Sequence, residues 1–142
     1  MKSLLFVCAL AITSSAHALT VGDSATYTYT GAGQTHEMAQ TVSAISGDNY
    51  TLHTTIDGAA QADASGSITA LASLTQVSAS CAQYGGDIQS VTTPAGTFNA
   101  CHMNQQGEDI YLSADVTFGI VKVDGTDNGT AYDVSLKAFV KH

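Results

Sequence analysis

Tyr132-Asp133-Val134-Ser135-Leu136-Lys137-Ala138-Phe139-Val140-Lys141 is the stretch that decides the fold. Tyr132, Val134, Leu136, Ala138 and Val140 alternate with Asp133, Ser135, Lys137, Phe139 and Lys141. A period of two puts each set on its own face of a strand, because successive Cβ atoms point to opposite sides of the pleat. One face is apolar and faces a core. The other is polar apart from Phe139, which reads as a contact point on that face.

The same alternation recurs upstream. Residues 24–30 set Ala25, Tyr27 and Tyr29 against three threonines. Gly31-Ala32-Gly33 then turns the chain into a weaker strand over 35–45. Ser46-Gly47-Asp48-Asn49 is the next turn. Tyr50, Leu52, Thr54 and Ile56 then share a face, opposite His53 and Thr55. Residues 59–80 are small and polar, and their state stays open between an edge strand at 67–69 and a short helix carrying Leu71, Leu74 and Val77. Strands resume at 88–92 and 97–103. Thr93-Pro94-Ala95-Gly96 lies between them, with proline at the second turn position and glycine at the fourth. Strands follow at 110–112 and 116–123, with a bend at Gly119. Eight or nine short strands at this spacing predict an all-β fold, with at most one short helix. The expected architecture is an antiparallel meander curling into an open or closed barrel.

The first residues set the compartment. Lys2, the apolar run 4–12 and the small-x-small site Ala16-His17-Ala18 read as a signal peptide over 1–18. The run is shorter than the roughly 20 apolar residues a membrane span needs, so no transmembrane anchor is expected. Residues 19–142 then form one exported β domain, periplasmic or secreted. Cys8 leaves with the leader. Cys81 and Cys101 remain, and an even pair in an exported chain predicts a disulfide. Zinc suits the pair less well, since neither cysteine belongs to a C-x-x-C and His102 adjoins Cys101 on the opposite face of a strand.

Charge limits the partners. The chain has 12 acidic residues against four lysines and no arginine, a net charge of −8, one more negative once Lys2 is removed. That argues against nucleic acid, which needs basic side chains to neutralise phosphate. A cationic envelope protein suits it better, although acidity also serves solubility alone.

Thr92-Thr93-Pro94-Ala95-Gly96-Thr97-Phe98 with Cys101, followed by Ser113 to Val123 reading SADVTFGIVKV, resembles the TapB-like exported bacterial domains of unknown function. Those domains are thought similar to the half-barrel of the outer-membrane lipoprotein carriers. The resemblance covers the last 60 or so residues well and, before them, only the Val21-Gly22-Asp23…Tyr27 opening. It departs where many members carry tryptophan, since Tyr111-Leu112 stands there. The resemblance implies a fold and a compartment, not an activity.

No arrangement of catalytic residues is legible. His36, His53, His102 and His142 are scattered, with no metal-protease spacing, no nucleophile elbow and no phosphate loop. Asp109 and Asp115 flank a strand without forming a recognisable acid–base pair. Asp124, Thr126, Asn128 and Gly129 echo a calcium loop, but Ser135 stands where its bidentate glutamate belongs. The expectation is therefore a non-enzymatic protein with no cofactor and no metal. The first functional reading is a binding domain that holds an apolar small molecule on a curved sheet, lined by Tyr27, Tyr29, Leu52, Phe98 and Phe118. The second is a periplasmic lysozyme inhibitor, since Ser46, Gly47 and Tyr50 match an S-G-x-x-Y inhibitory loop. The third is a structural or adhesive component of the envelope. Oligomeric state is not legible.

Overall fold

The computed structural model describes residues 18–142. The expected leader through residue 17 lies outside them. The elements in order are β1 (Ser24–Gly31), β2 (Gln34–Ser46), β3 (Asn49–Ile56), β4 (Ala59–Ala60) and β5 (Ala64–Ser67). Then come α1 (Ile68–Ala79), a 3-10 turn (Cys81–Tyr84) and β6 (Asp87–Thr93). The chain ends with β7 (Gly96–Gln105), β8 (Glu108–Leu112), β9 (Ile120–Asp127) and β10 (Thr130–Val140).

All the strands pair antiparallel in one sheet, in the order β4-β3-β2-β1-β10-β9-β8-β7-β6, with β5 also on β3. Two meanders are thus joined side by side where the first strand pairs with the last. The barrel expectation is overturned. The sheet is open and does not curl shut, because β4 and β6 end it and do not pair with each other. Closure needs two matched edges exchanging a ladder. Here one edge is two short pieces, β4 of two residues and β5 of four, and the other is β6 of seven, so no matched ladder is available. The chain between β5 and β6 goes instead into α1.

The helix settles residues 59–80. Ser67 ends β5 and caps α1, its hydroxyl accepting from the Ala70 N–H at 3.2 Å. Asp48, in the β2–β3 turn, reinforces this start. Its carboxylate accepts from the Thr69 N–H at 2.9 Å and from the Ser67 and Thr69 hydroxyls at 2.6 Å each. Leu71 packs on the main core, and Leu74 and Val77 pack on a second cluster around Cys81, Cys101 and Leu112. The expected disulfide Cys81–Cys101 is present there, with Cα atoms 5.5 Å apart.

Two further expectations change. Residues 116–118 are not strand: β9 begins at Ile120. The segment before it bonds to itself, Ser113 N–H to the Gly119 carbonyl at 2.9 Å, and is pinned by the Thr117 hydroxyl, 3.0 Å from the carbonyls of both Ser24 and Val140. Val116 and Phe118 thereby enter the core from a loop. In β10 the alternation also breaks. Tyr27 faces Leu136 and Thr26 faces Ala138, so Lys137 is a bulge. One extra residue reverses the faces beyond it. Leu136 is fully buried, Phe139 packs inward against Phe98, and Val140 is exposed. Phe139 is thus a core residue and not a contact point.

Candidate functional site

A groove of about 610 Å³ lies between α1 and the segment 114–117. Ile68, Leu71, Ala72 and Thr75 form one wall, Val116 and Thr117 the other, and Leu19 closes an end. Its size is typical of a small-molecule site, commonly about 300–1,000 Å³. No residue of α1 is fully buried, so this wall is lightly packed.

Three charged residues border the groove: Asp23, Asp115 and Lys141. Asp23 is fully buried and fully occupied. It accepts from the His142 N–H at 2.8 Å and the Thr20 N–H at 2.9 Å, and it meets the Thr20 hydroxyl and His142 Nδ1 at 3.0 Å each. Burial alone would raise its pKa, but these hydrogen bonds outweigh burial and hold it below the ordinary carboxylate value. Lys141 donates to the Ala114 carbonyl at 2.8 Å, tying the chain terminus to the loop wall.

The five residues expected to line an apolar face do not line this groove. Tyr27 is buried in the core, its hydroxyl donating to the Ile120 carbonyl at 3.3 Å, and burial raises its pKa. Phe118 is buried and stacks on Tyr50 with ring centres 6.5 Å apart. Leu52 and Phe98 are half-buried against the same core. Tyr29 is 38% exposed and stacks on Tyr132 at 5.9 Å, away from α1. The groove residues that sequence reading missed are Leu19, Ile68 and Ala72. Only the spacing of Leu71, Leu74 and Val77 hinted at that wall.

The S-G-x-x-Y residues are placed by local structure. Ser46 pairs with Asn49 at the end of the hairpin, and Gly47 takes φ +59° in its turn. Tyr50 lies across Gly66, where any Cβ would collide with its ring, and packs on Phe118. Asp48, between them, caps α1. The loop is thus bound up with holding the helix, and Ser46 is exposed beside it.

A second polar cluster lies on the other side of the disulfide strand. His102 Nε2 meets Asp109 at 2.8 Å and Nδ1 meets Asp87 at 3.0 Å, while the ring stacks on Tyr111 at 4.9 Å. Hydrogen bonding to Asp109 and then to Asp87 raises the His102 pKa, while Gln89 and then His102 lower Asp87, and His102 lowers Asp109. The Gln89 amide also lies 3.0 Å from Nδ1, and the cluster ties β6, β7 and β8 together through Asp87, His102 and Asp109.

No helix among the described residues is long and apolar enough to cross a membrane. Among the same residues, no group of three or more histidine, cysteine or acidic side chains converges on a metal-sized centre. Comparison with protein-family models and with curated proteins finds no match for this chain.

Proposed function

We propose that this chain is an exported binding domain that holds a small apolar molecule in the groove between α1 and residues 114–117. The groove itself carries the reading: it lies outside the packed core and one of its walls is a helix without a fully buried residue. The half-buried apolar side chains of Leu19, Ile68 and Leu71 gain contact when an apolar ligand displaces water. Lys141 at the rim suits a ligand with an acceptor or anionic end. The protein binds and does not transform. The leader-like start of the chain and the resemblance to TapB-like domains support export and a place in the envelope.

The test is native mass spectrometry of the mature protein isolated from its own cell envelope, disulfide intact. The wild type is expected to carry an additional apolar mass. Ala72→Trp, which fills the groove from an exposed helix position, is expected to lose it without a change in thermal unfolding. A bare mass in the wild type, or the same adduct on both proteins, overturns the reading.

A further inference from the structure

β6 (Asp87–Thr93) ends the sheet, with β7 on one side and no strand on the other among the described residues. The opposite edge is broken into two short pieces, β4 of two residues and β5 of four. β6 has seven, with no lysine, no proline and no register shift against β7, so the usual protections of an edge are missing. The β6–β7 hairpin closes on the pair Thr93 and Gly96 across a two-residue turn. In such a hairpin the closing pair is hydrogen-bonded and every second pair repeats it. Asp87, Gln89, Val91 and Thr93 therefore turn their backbone groups to β7. Ile88, Ser90 and Thr92 turn theirs outward, and all three residues are exposed. The Thr92 and Thr97 hydroxyls, 3.0 Å apart, show the closer side-chain approach expected of a pair that is not hydrogen-bonded.

Two of the most exposed large apolar side chains belong to this corner. Ile88 is 60% exposed, and Tyr84, 50% exposed, sits on the 3-10 turn that leads into β6. Asp87 adds an exposed carboxylate at the start of the strand. We propose that this edge accepts an extended segment of a cationic protein, which adds to the sheet as a further strand beside β6. The outward amides and carbonyls of Ile88, Ser90 and Thr92 supply the ladder. Ile88 and Tyr84 supply apolar contact, and Asp87 with the surplus of acids selects lysine or arginine in the segment. A second copy of this chain suits the edge poorly, because both copies carry the same net charge of −8.

The experiment uses the folded protein with its disulfide intact and a fluorescein-labelled octapeptide of alternating lysine and valine. Its glutamate–valine counterpart is the control. The lysine peptide is expected to bind saturably by anisotropy, at least about tenfold tighter than the control, and to slow amide exchange at Ile88, Ser90 and Thr92. Ser90→Pro removes an outward N–H and leaves the β7 ladder in place. It is expected to weaken binding by about tenfold or more with an unchanged circular-dichroism spectrum. Exchange in the wild type tests the same idea should that variant not fold. Absence of binding overturns the proposal. So does binding that leaves those three amides unprotected, since the acidic surface alone would then explain it. A concentration-dependent dimer in sedimentation, with the same amides protected in the absence of peptide, assigns the edge to a second copy and also overturns it.

Discussion

Asp48 shows how one residue can change meaning between sequence and structure. In the sequence it is ordinary turn chemistry inside S-G-D-N-Y. In the fold it reaches across to α1 and accepts from Ser67 and Thr69, which lowers its pKa. Ser67 completes the pair by accepting from Ala70. Ser67→Ala removes both the cap and one donor to Asp48. It is expected to destabilise the protein by about 1 kcal/mol, read from the urea midpoint at unchanged slope. A change within error would show that α1 is held by Leu71, Leu74 and Val77 without help from its cap.

His102 gives a residue-scale prediction with a sign. Its pKa is raised above the ordinary 6.5, so its contribution to stability is fully present below that value and is lost as pH rises through the raised one. Asp87 and Asp109 are lowered below 3.8, so theirs is present above that value and is lost as pH falls through the lowered ones. The clamp is therefore whole between about pH 4 and pH 6.5. The stability difference between wild type and His102→Gln is expected to be largest in that window and to shrink toward pH 9. A difference that stays flat from pH 5 to pH 9 would mean that the ring is neutral throughout.

At the scale of elements, α1 depends on its surroundings. Its composition is mostly serine, threonine and alanine around four spaced apolar residues, Ile68, Leu71, Leu74 and Val77, and the Ser73 and Thr75 hydroxyls bond back to carbonyls one turn earlier. Intrinsic propensity alone would leave such a segment marginal. The disulfide holds the far end, since Cys81 opens the 3-10 turn directly after the helix and Cys101 lies in β7. The two cysteines are 20 residues apart. Reduction, or Cys81→Ala with Cys101→Ala, is expected to cost roughly 3 kcal/mol. The loss should appear first as faster amide exchange in α1, because that is the element the bond secures. Uniform loss across the sheet would place the bond instead in the stability of the whole fold.

The strands were the legible elements. Residues 24–30 and 50–56 alternate cleanly and form β1 and β3 nearly as read. What misled was any local departure from a period of two. The bulge at Lys137 moves Phe139 inward, and nothing in Leu136-Lys137-Ala138 marks it. The run Val116-Thr117-Phe118 alternates as a strand would, yet folds as a loop held by the carbonyls of Ser24 and Val140. Those carbonyls come from the two ends of the described chain, so no local window contains the reason.

For the whole molecule, the decisive pairing is β1 with β10, which joins the two meanders into one open sheet. It leaves β6 as a long free edge and lets α1 lie over one face with a groove beside it. The aromatic residues expected to line a ligand face went mostly into the core. A sheet that does not close must cover its apolar face with its own side chains, and Tyr27 and Phe118 do this here. The groove formed where a weakly apolar helix meets a loop and packs against it incompletely.

The sequence by itself determined most of the strands, their antiparallel hairpins, the acidic character and the cysteine pairing. Each of these follows from short-range rules: a period of two, turn residues between strands, a count of charges and an even number of thiols. Only the tertiary structure decided that the sheet stays open, that Lys137 is a bulge, that residues 68–79 are helical and where the groove lies. Those features depend on contacts between residues far apart in the chain, such as Thr117 with Ser24 and Asp48 with Thr69, whose energies no local pattern records.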